Sequence, residues 1–493
     1  MFEILVLLCS GTFLLFYLLK NKRPHNFPPG PMPVPLFGNV LQLNLKNPLV
    51  DLNKISKRYG KVYSLYIGRN LTVFLHGYEA VKEILISHGA DYAGRPQGLL
   101  VNDVTEYRGI SMVTYGTHWK EHKCFTLSTL RDFGLGKKLM ESKILSEAAH
   151  LIQSLEKQEG LAIYPHILLE NAVSNVVCSV ILGLRFDYDN KLFHKMMELL
   201  NDSTKILNGP WGMVRISLYD ALPFIRSLRL PFRRAISNKD NMKDFFRSFV
   251  KQHRKNWVPG DPQDYIDCYF EEMEKRKNNN ESIFDENSLL LNLIDLFSAG
   301  TESTAITIRW TLLYLMRYPD VQARCHKEID CILGSKEQIS YEDRHAMPYM
   351  LAVIHESQRM GDVAPLGVFH AALKDTQLFG YTIPKGTTVI PNLSSVLHDD
   401  TQWKFPHEFN PSNFLNEKGE FVKPEAFVPF SAGPRICLGE ALARTELFLF
   451  LTTLLRRFEV IWPENCGAPD LTPLYGITQE PQKYKMKLKS REN

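Results

Sequence analysis

Phe430-Ser431-Ala432-Gly433-Pro434-Arg435-Ile436-Cys437-Leu438-Gly439 is the stretch on which the reading of this chain turns, and a helix-like run, Glu440 to Leu455, follows it at once. A cysteine just ahead of a helix sits among backbone N–H groups that lack intrahelical partners and at the positive end of the helix dipole. Both favour its thiolate. Cys437 occupies that place. Gly433 and Gly439 permit turns and close backbone approach that a side chain would block. A thiolate is a strong, soft ligand for iron, and Arg435, two residues from the sulfur, carries a planar cation suited to a carboxylate.

On its own, a cysteine before a helix is more often a buried, inert thiol. The spacing changes that reading. F-x-x-G-x-R-x-C-x-G fixes Phe430, Gly433, Arg435, Cys437 and Gly439 at set offsets, and the pattern resembles the haem-binding loop of the cytochrome P450 superfamily. The resemblance implies heme b, with Cys437 as the axial iron ligand and Phe430, Gly433, Arg435 and Gly439 among the cofactor-binding residues.

At 493 residues and 44% hydrophobic, the chain can bury a large core. No Gly/Ser-rich linker, repeat or long charge block divides it, which favours one catalytic domain (36–493) over several. A net charge of +4 argues against a dedicated nucleic-acid binder. Eight scattered cysteines without a C-x-x-C pair argue against structural zinc and against a disulfide scaffold, and fit a reducing compartment.

Ile4 to Leu19 is almost wholly apolar and, with Phe2, approaches the ~20 residues that span a bilayer. Lys20, Lys22 and Arg23 follow it, so the positive-inside rule puts the remainder on the cytosolic side. We expect an anchor over 1–20 and a basic, proline-rich linker over 21–35. A cleavable signal peptide competes with the anchor, but it wants a basic start and a small-residue cleavage site, neither of which is evident. The stiff run Phe27-Pro28-Pro29-Gly30-Pro31 resembles that of microsomal members of the superfamily and implies an endoplasmic-reticulum membrane location.

Val62 to Ile67 and Leu71 to Leu75 read as a hairpin. Leu99 to Val113 has no clean period and reads as a loop. Arg95, on the resemblance, reaches a haem propionate, although its sequence alone reads as a surface arginine. Trp119-Lys120-Glu121-His122-Lys123 puts Trp119 and Lys123 on one helical face. The family usually has W-x-x-x-R here, and lysine lacks arginine's bidentate fork, so weaker haem retention is expected. Lys120, Lys123, Arg131, Lys137 and Lys138 form a basic stretch that reads either as a solvated face or as a dock for an acidic redox partner. Residues 140–285 read as mostly helical. Trp211 to Leu230 suits either a membrane surface or a core-facing loop.

Ala299-Gly300-Thr301-Glu302-Ser303-Thr304 lies inside the apolar run Leu289 to Leu315. A glycine in a helix costs ~1 kcal/mol relative to alanine, so something should offset it. Small Ala299 and Gly300 would leave room for a ligand, an acid beside hydroxyls can relay protons, and a plain Gly/Ser kink against a core is the bland alternative. The hexapeptide resembles the family's acid-hydroxyl pattern. That implies proton delivery by Glu302, Ser303 and Thr304, with Ala299 near the haem. Ser303 stands where threonine is usual, and a hydroxyl without the methyl that fixes χ1 implies a looser relay.

Glu356 and Arg359 form an E-x-x-R pair, which alone reads as a weak exposed ion pair; in register it matches the family's structural pair. Asn413 stands where relatives have arginine or histidine, leaving the third member open. Val363 to His370 resembles the segment beside the haem, with His370 a candidate propionate donor. Candidate pocket residues on the resemblance are Leu99, Val113, Leu207, Leu296, Phe297, Ala364, Leu366 and Ile477.

The motifs resemble microsomal family 2, whose fold is mainly α with a smaller β-rich part. The implied function is a haem-thiolate monooxygenase for lipophilic substrates (xenobiotics, fatty acids or steroids). No G-x-G-x-x-G cassette appears, so electrons should come from a partner. The resemblance names NADPH-cytochrome P450 reductase, with cytochrome b5 as a further candidate. A haem-thiolate isomerase or dehydratase acting on peroxides, and a haem-binding sensor, stand as alternatives.

Overall fold

The computed structural model describes residues 23–35, 37–132, 138–208, 218–220, 222, 226, 228, 230–279 and 282–491. The expected anchor and most of the 211–230 stretch lie outside them. Among the described residues no helix is long and apolar enough to cross a membrane.

A 32-residue helix, Glu286–Arg317, runs through the middle of the fold for about 48 Å. Asp285 starts it by accepting the Ser288 N–H (2.7 Å). Its sequence is apolar nearly all round because nearly all faces are covered. The helix His166–Ile181 packs along it. Gly300 is where the two close, since a Cβ there would lie 2.8 Å from Val177 Cγ2. The glycine thus serves helix packing, and the helical assignment runs on through Ser303. The room expected at Ala299-Gly300 falls to Ala299 alone, which is exposed.

The β-rich part holds the hairpin as expected. Val62–Ile67 pairs antiparallel with Asn70–His76, which pairs in parallel with Thr388–Asn392. The short strand His370–Ala371 closes the far edge of this sheet. Ala371 N donates to Gly94 O (3.0 Å), so the sheet edge carries His370 beside Arg95 although 275 positions separate them.

The stretch 99–113 is a loop over 106–113 as expected but departs from expectation at its start. It forms a short helix, Leu100–Thr105, because Asn102 Oδ1 accepts the Leu99 N–H (2.9 Å) and Asp220 Oδ1 accepts that of Leu100 (3.0 Å). Side-chain capping, invisible to hydrophobic period, orders it.

Glu356 and Arg359 also depart from the weak surface pair expected of the motif alone. Both side chains are fully buried. The Arg359 fork donates to Glu356 Oε2 and Oε1 (2.7 and 2.8 Å). Its remaining N–H groups reach the carbonyls of Leu397, Pro406, Phe405 and Glu408 (2.8, 2.7, 3.0 and 2.9 Å). Glu356 Oε1 also accepts from Asn410 N and Asn413 Nδ2 (2.7 and 3.1 Å). Asn413 therefore completes the group, as a neutral donor.

Candidate active site

The loop before the helix Glu440–Arg457 is bent by necessity. Gly433 has φ +71°, and a Cβ there would lie 1.7 Å from Leu85 O. Only glycine fits. Cys437 N donates to Phe430 O (2.9 Å), closing the turn. Gly439 caps the helix with no side-chain acceptor. Burial among protein atoms raises the Cys437 thiol above its ordinary value, with the Glu440 charge adding to it, and the N–H groups of Gly439 and Glu440 that bond the sulfur offset this only in part. Cys437 nonetheless has exposed area, as a side chain facing a cleft does. A bound cation would reverse the balance and deprotonate it.

Beside this loop lies a cluster of cations. Arg435 Nε donates to Ala93 O (2.8 Å) and Nη2 to Val113 O (2.6 Å), and its guanidinium stacks 4.0 Å over Trp119. Arg95 donates to Ser111 O (2.9 Å) and Phe369 O (2.8 Å). Burial, with the charge of Arg435 adding to it, pushes the Arg95 pKa well down; burial lowers Arg435 to about 10. The hydrogen bonds of both arginines go to backbone carbonyls and none to a carboxylate among the described residues, and Arg435 Nη1 is buried with no partner. His370 Nδ1 donates to Tyr92 O (2.8 Å), and burial and the two arginines lower its pKa to about 3. For Nε2 to donate as well, the ring must be protonated, which a neighbouring anion would favour. Lys123 Nζ donates to Pro434 O (2.6 Å) and lies 4.9 Å over Trp119, binding its helix Thr117–Asp132 to the cysteine loop.

Five residues expected at one site, Arg95, Trp119, Lys123, His370 and Arg435, thus come together. The cluster has buried positive charge and one unused donor but no anion of its own. A haem would bring carboxylates to it, and the exposed Cys437 offers the iron ligand. The residues present fit that group.

On the central helix, Ala299 and Ser303 are exposed one turn apart, while Thr301 and Thr304 are buried. Ser303 Oγ donates to Ala299 O (2.9 Å), and Thr307 Oγ1 to Ser303 O (2.8 Å). Thr304 is buried, away from that face. Glu302 accepts from Thr204 Oγ1 (2.9 Å) and Thr478 Oγ1, so both of its oxygens are engaged; burial raises its pKa and these hydroxyls lower it.

Among the pocket candidates, Leu296 and Ala364 are half-buried and Ile477 is 54% exposed. Val368 and Ile436, missed by the sequence reading, add exposed apolar area beside His370 and Cys437. Leu99 and Val113 are buried, the latter through the carbonyl that Arg435 uses. Leu366 packs with Leu43, Leu52 and Tyr63 under the sheet. Phe297 lines no open space: it is fully buried, edge-on to Phe246 with centroids 5.8 Å apart. The Leu207 side chain lies outside the described residues.

Also missed was Asp295. It accepts from Ile110 N, Ser111 N and Ser111 Oγ (2.8, 3.0 and 3.0 Å) and so fixes the segment whose carbonyl holds Arg95. Thr204, Asn208 and Thr478 around Glu302 were missed too. No local pattern could find partners 98 and 176 positions from the residue they serve.

The model of the family described as Cytochrome P450 matches residues 28–488. Similar relatives include Cytochrome P450 2C55 of Mus musculus, 42% identical over 472 residues that cover 96% of this chain and 95% of the relative. Cytochrome P450 2F2 of Rattus norvegicus is 40% identical over 492 residues, 99% of each chain. Cytochrome P450 2J2 of Homo sapiens is 40% identical over 483 residues, 98% of this chain and 95% of the relative. With a cysteine loop, an anion-seeking cluster beside it and a match from end to end, the chain belongs to the cytochrome P450 family and is a haem-thiolate monooxygenase.

Proposed function

We propose that Cys437 would hold the haem iron and that Arg95, Arg435, Trp119, Lys123 and His370 would hold its carboxylates, with a lipophilic substrate for oxygenation held against Ala299, Val368 and Ile477. The observation that carries this reading is the pair of buried guanidinium groups without a counter-anion beside the loop that presents Cys437. When bound, haem supplies the oxidising chemistry, and the protein's part is to hold it and shape what meets it. The apolar residues of the cleft exclude water and select by shape, which suits fatty acids, steroids and foreign lipophiles without separating them. Ser303, whose hydroxyl is on the exposed face, is the residue of the acid-hydroxyl set best placed to pass a proton there.

Electrons come from NADPH-cytochrome P450 reductase, with cytochrome b5 as a second donor. The exposed Lys120, Arg131 and Lys138 lie on the helices adjoining the cysteine loop and give an acidic partner its footing. Residues 1–20 anchor the domain in the endoplasmic-reticulum membrane, facing the cytosol. The test is NADPH-driven oxygen consumption with purified reductase and a panel of fatty acids, steroids and alkoxycoumarins. Substrate-dependent hydroxylated product is expected. Haem-loaded, reducible protein that oxidises none and instead rearranges a lipid hydroperoxide without reductase would replace this reading with the isomerase.

A further inference from the structure

Glu302 is spent on two hydroxyls from distant parts of the chain. Thr204 lies near the end of the helix Lys191–Leu207, and Thr478 lies in the loop between the short strands Pro473–Leu474 and Glu480–Pro481. Asn208, which caps that helix, reaches the same loop twice: its Nδ2 donates to Thr478 Oγ1 (3.1 Å) and its Oδ1 accepts from Ile477 N (2.6 Å). Glycine at 476 leaves room for the Asn208 side chain, since a Cβ there would lie 2.2 Å from Asn208 Cγ. The next part of the loop is fixed independently: Gln479 N donates to Val363 O (2.8 Å), Trp310 Nε1 to Gln479 O (3.2 Å), and Arg309 Nη1 to Glu480 Oε2 (2.9 Å). Ile477, exposed between these ties, is held by Asn208 at its own N–H and by Glu302 through the next residue, Thr478, and Glu302 immediately precedes the exposed Ser303.

We propose that Glu302 is a positioning residue: it clasps the end of the Lys191–Leu207 helix and the 476–479 loop onto the central helix, and so sets the wall that Ile477 presents to a bulky ligand. The clasp rests on the haem-site reading for its meaning as a wall, though not for its existence. It requires reach and hydroxyl partners, whereas a proton relay requires only an acid. A carboxylate already accepting two hydrogen bonds is held in one rotamer, and losing either hydroxyl frees a charged acceptor at the junction of three segments.

The experiment uses the haem-loaded full chain and the variants Glu302→Asp, Glu302→Gln, Thr478→Val and Thr478→Ser. Two quantities are read: amide hydrogen exchange without ligand, and release of 4-phenylimidazole against that of carbon monoxide. Glu302→Asp, still an acid but one methylene short, and Thr478→Val, with the acid untouched, should each speed exchange at 204–208 and 476–479. Each should release 4-phenylimidazole roughly tenfold faster, the size of one hydrogen bond to a charged group, with carbon monoxide release unchanged. Thr478→Ser, which restores the hydroxyl, should restore both readouts.

If Glu302→Asp behaves as the parent, or Thr478→Val changes neither exchange nor release, the clasp is overturned and Glu302→Gln acts as loss of an acid. Exchange needs no thiolate-bound haem. A protein that lacks the thiolate carbon-monoxide band but shows the same exchange pattern would remove the haem reading and keep the clasp.

Discussion

Two groups of buried arginine in this molecule solve the same electrostatic problem in opposite ways. Arg359 has a bidentate carboxylate, four backbone carbonyls and complete enclosure. Arg435 and Arg95 have carbonyls, an aromatic face and each other's repulsion, with the Arg435 Nη1 nitrogen left over. Removing a charge from water carries a penalty of several kcal/mol unless a counter-charge offsets it. The first group meets that demand within the fold. The second leaves it to a bound anion, and that is how a structural ion pair is told from a ligand-binding one without any ligand in view.

The contrast breaks most visibly at Arg359. Arg359→Leu leaves Glu356 charged in the core and should cost about 3–5 kcal/mol, a large part of a typical folding stability. Loss of soluble protein, or a collapsed urea midpoint by circular dichroism, is the expected result. Arg435→Leu should do the reverse: the chain stays folded while haem transfers to apomyoglobin roughly tenfold faster or more, for loss of a charge-assisted contact. If Arg435→Leu unfolds the protein as thoroughly as Arg359→Leu, the distinction is void. Lys123→Arg sharpens it further. Arginine restores the fork, and haem transfer should slow by about two- to fivefold with the fold unchanged. The smallest effect falls on the self-contained side, where Asn413→Ala removes one of several donors to Glu356 and should lower stability by about 1 kcal/mol, read as a thermal midpoint down by a degree or two.

The two arginine groups also mark where sequence reading works and where it stops. Cys437, Gly433 and Arg435 were legible because the loop compresses its chemistry into ten residues, and the central helix because its apolar run is long. Arg95 and His370 could be assigned only by resemblance, since a parallel strand pairing and the Gly94–Ala371 contact bring them together across most of the chain. Glu356 and Arg359 taken alone read as an ordinary surface pair, and only the resemblance made them a structural one, because spacing on a helix says nothing of what covers it. Phe297 read as pocket and is core for the same reason: which face of a buried helix meets the cleft depends on neighbours such as Phe246. The role of Gly300 was misplaced because Val177, which needs the space, lies on another helix.

The most direct measurement is the absorption spectrum of the reduced, carbon-monoxide-bound protein beside that of Cys437→Ala. A strongly red-shifted Soret band in the parent, lost in the variant, is the expected result and would establish the Cys437 thiolate as the haem ligand. A folded, haem-loaded parent without that band, or a Cys437→Ala variant that keeps it, would contradict the account at its centre.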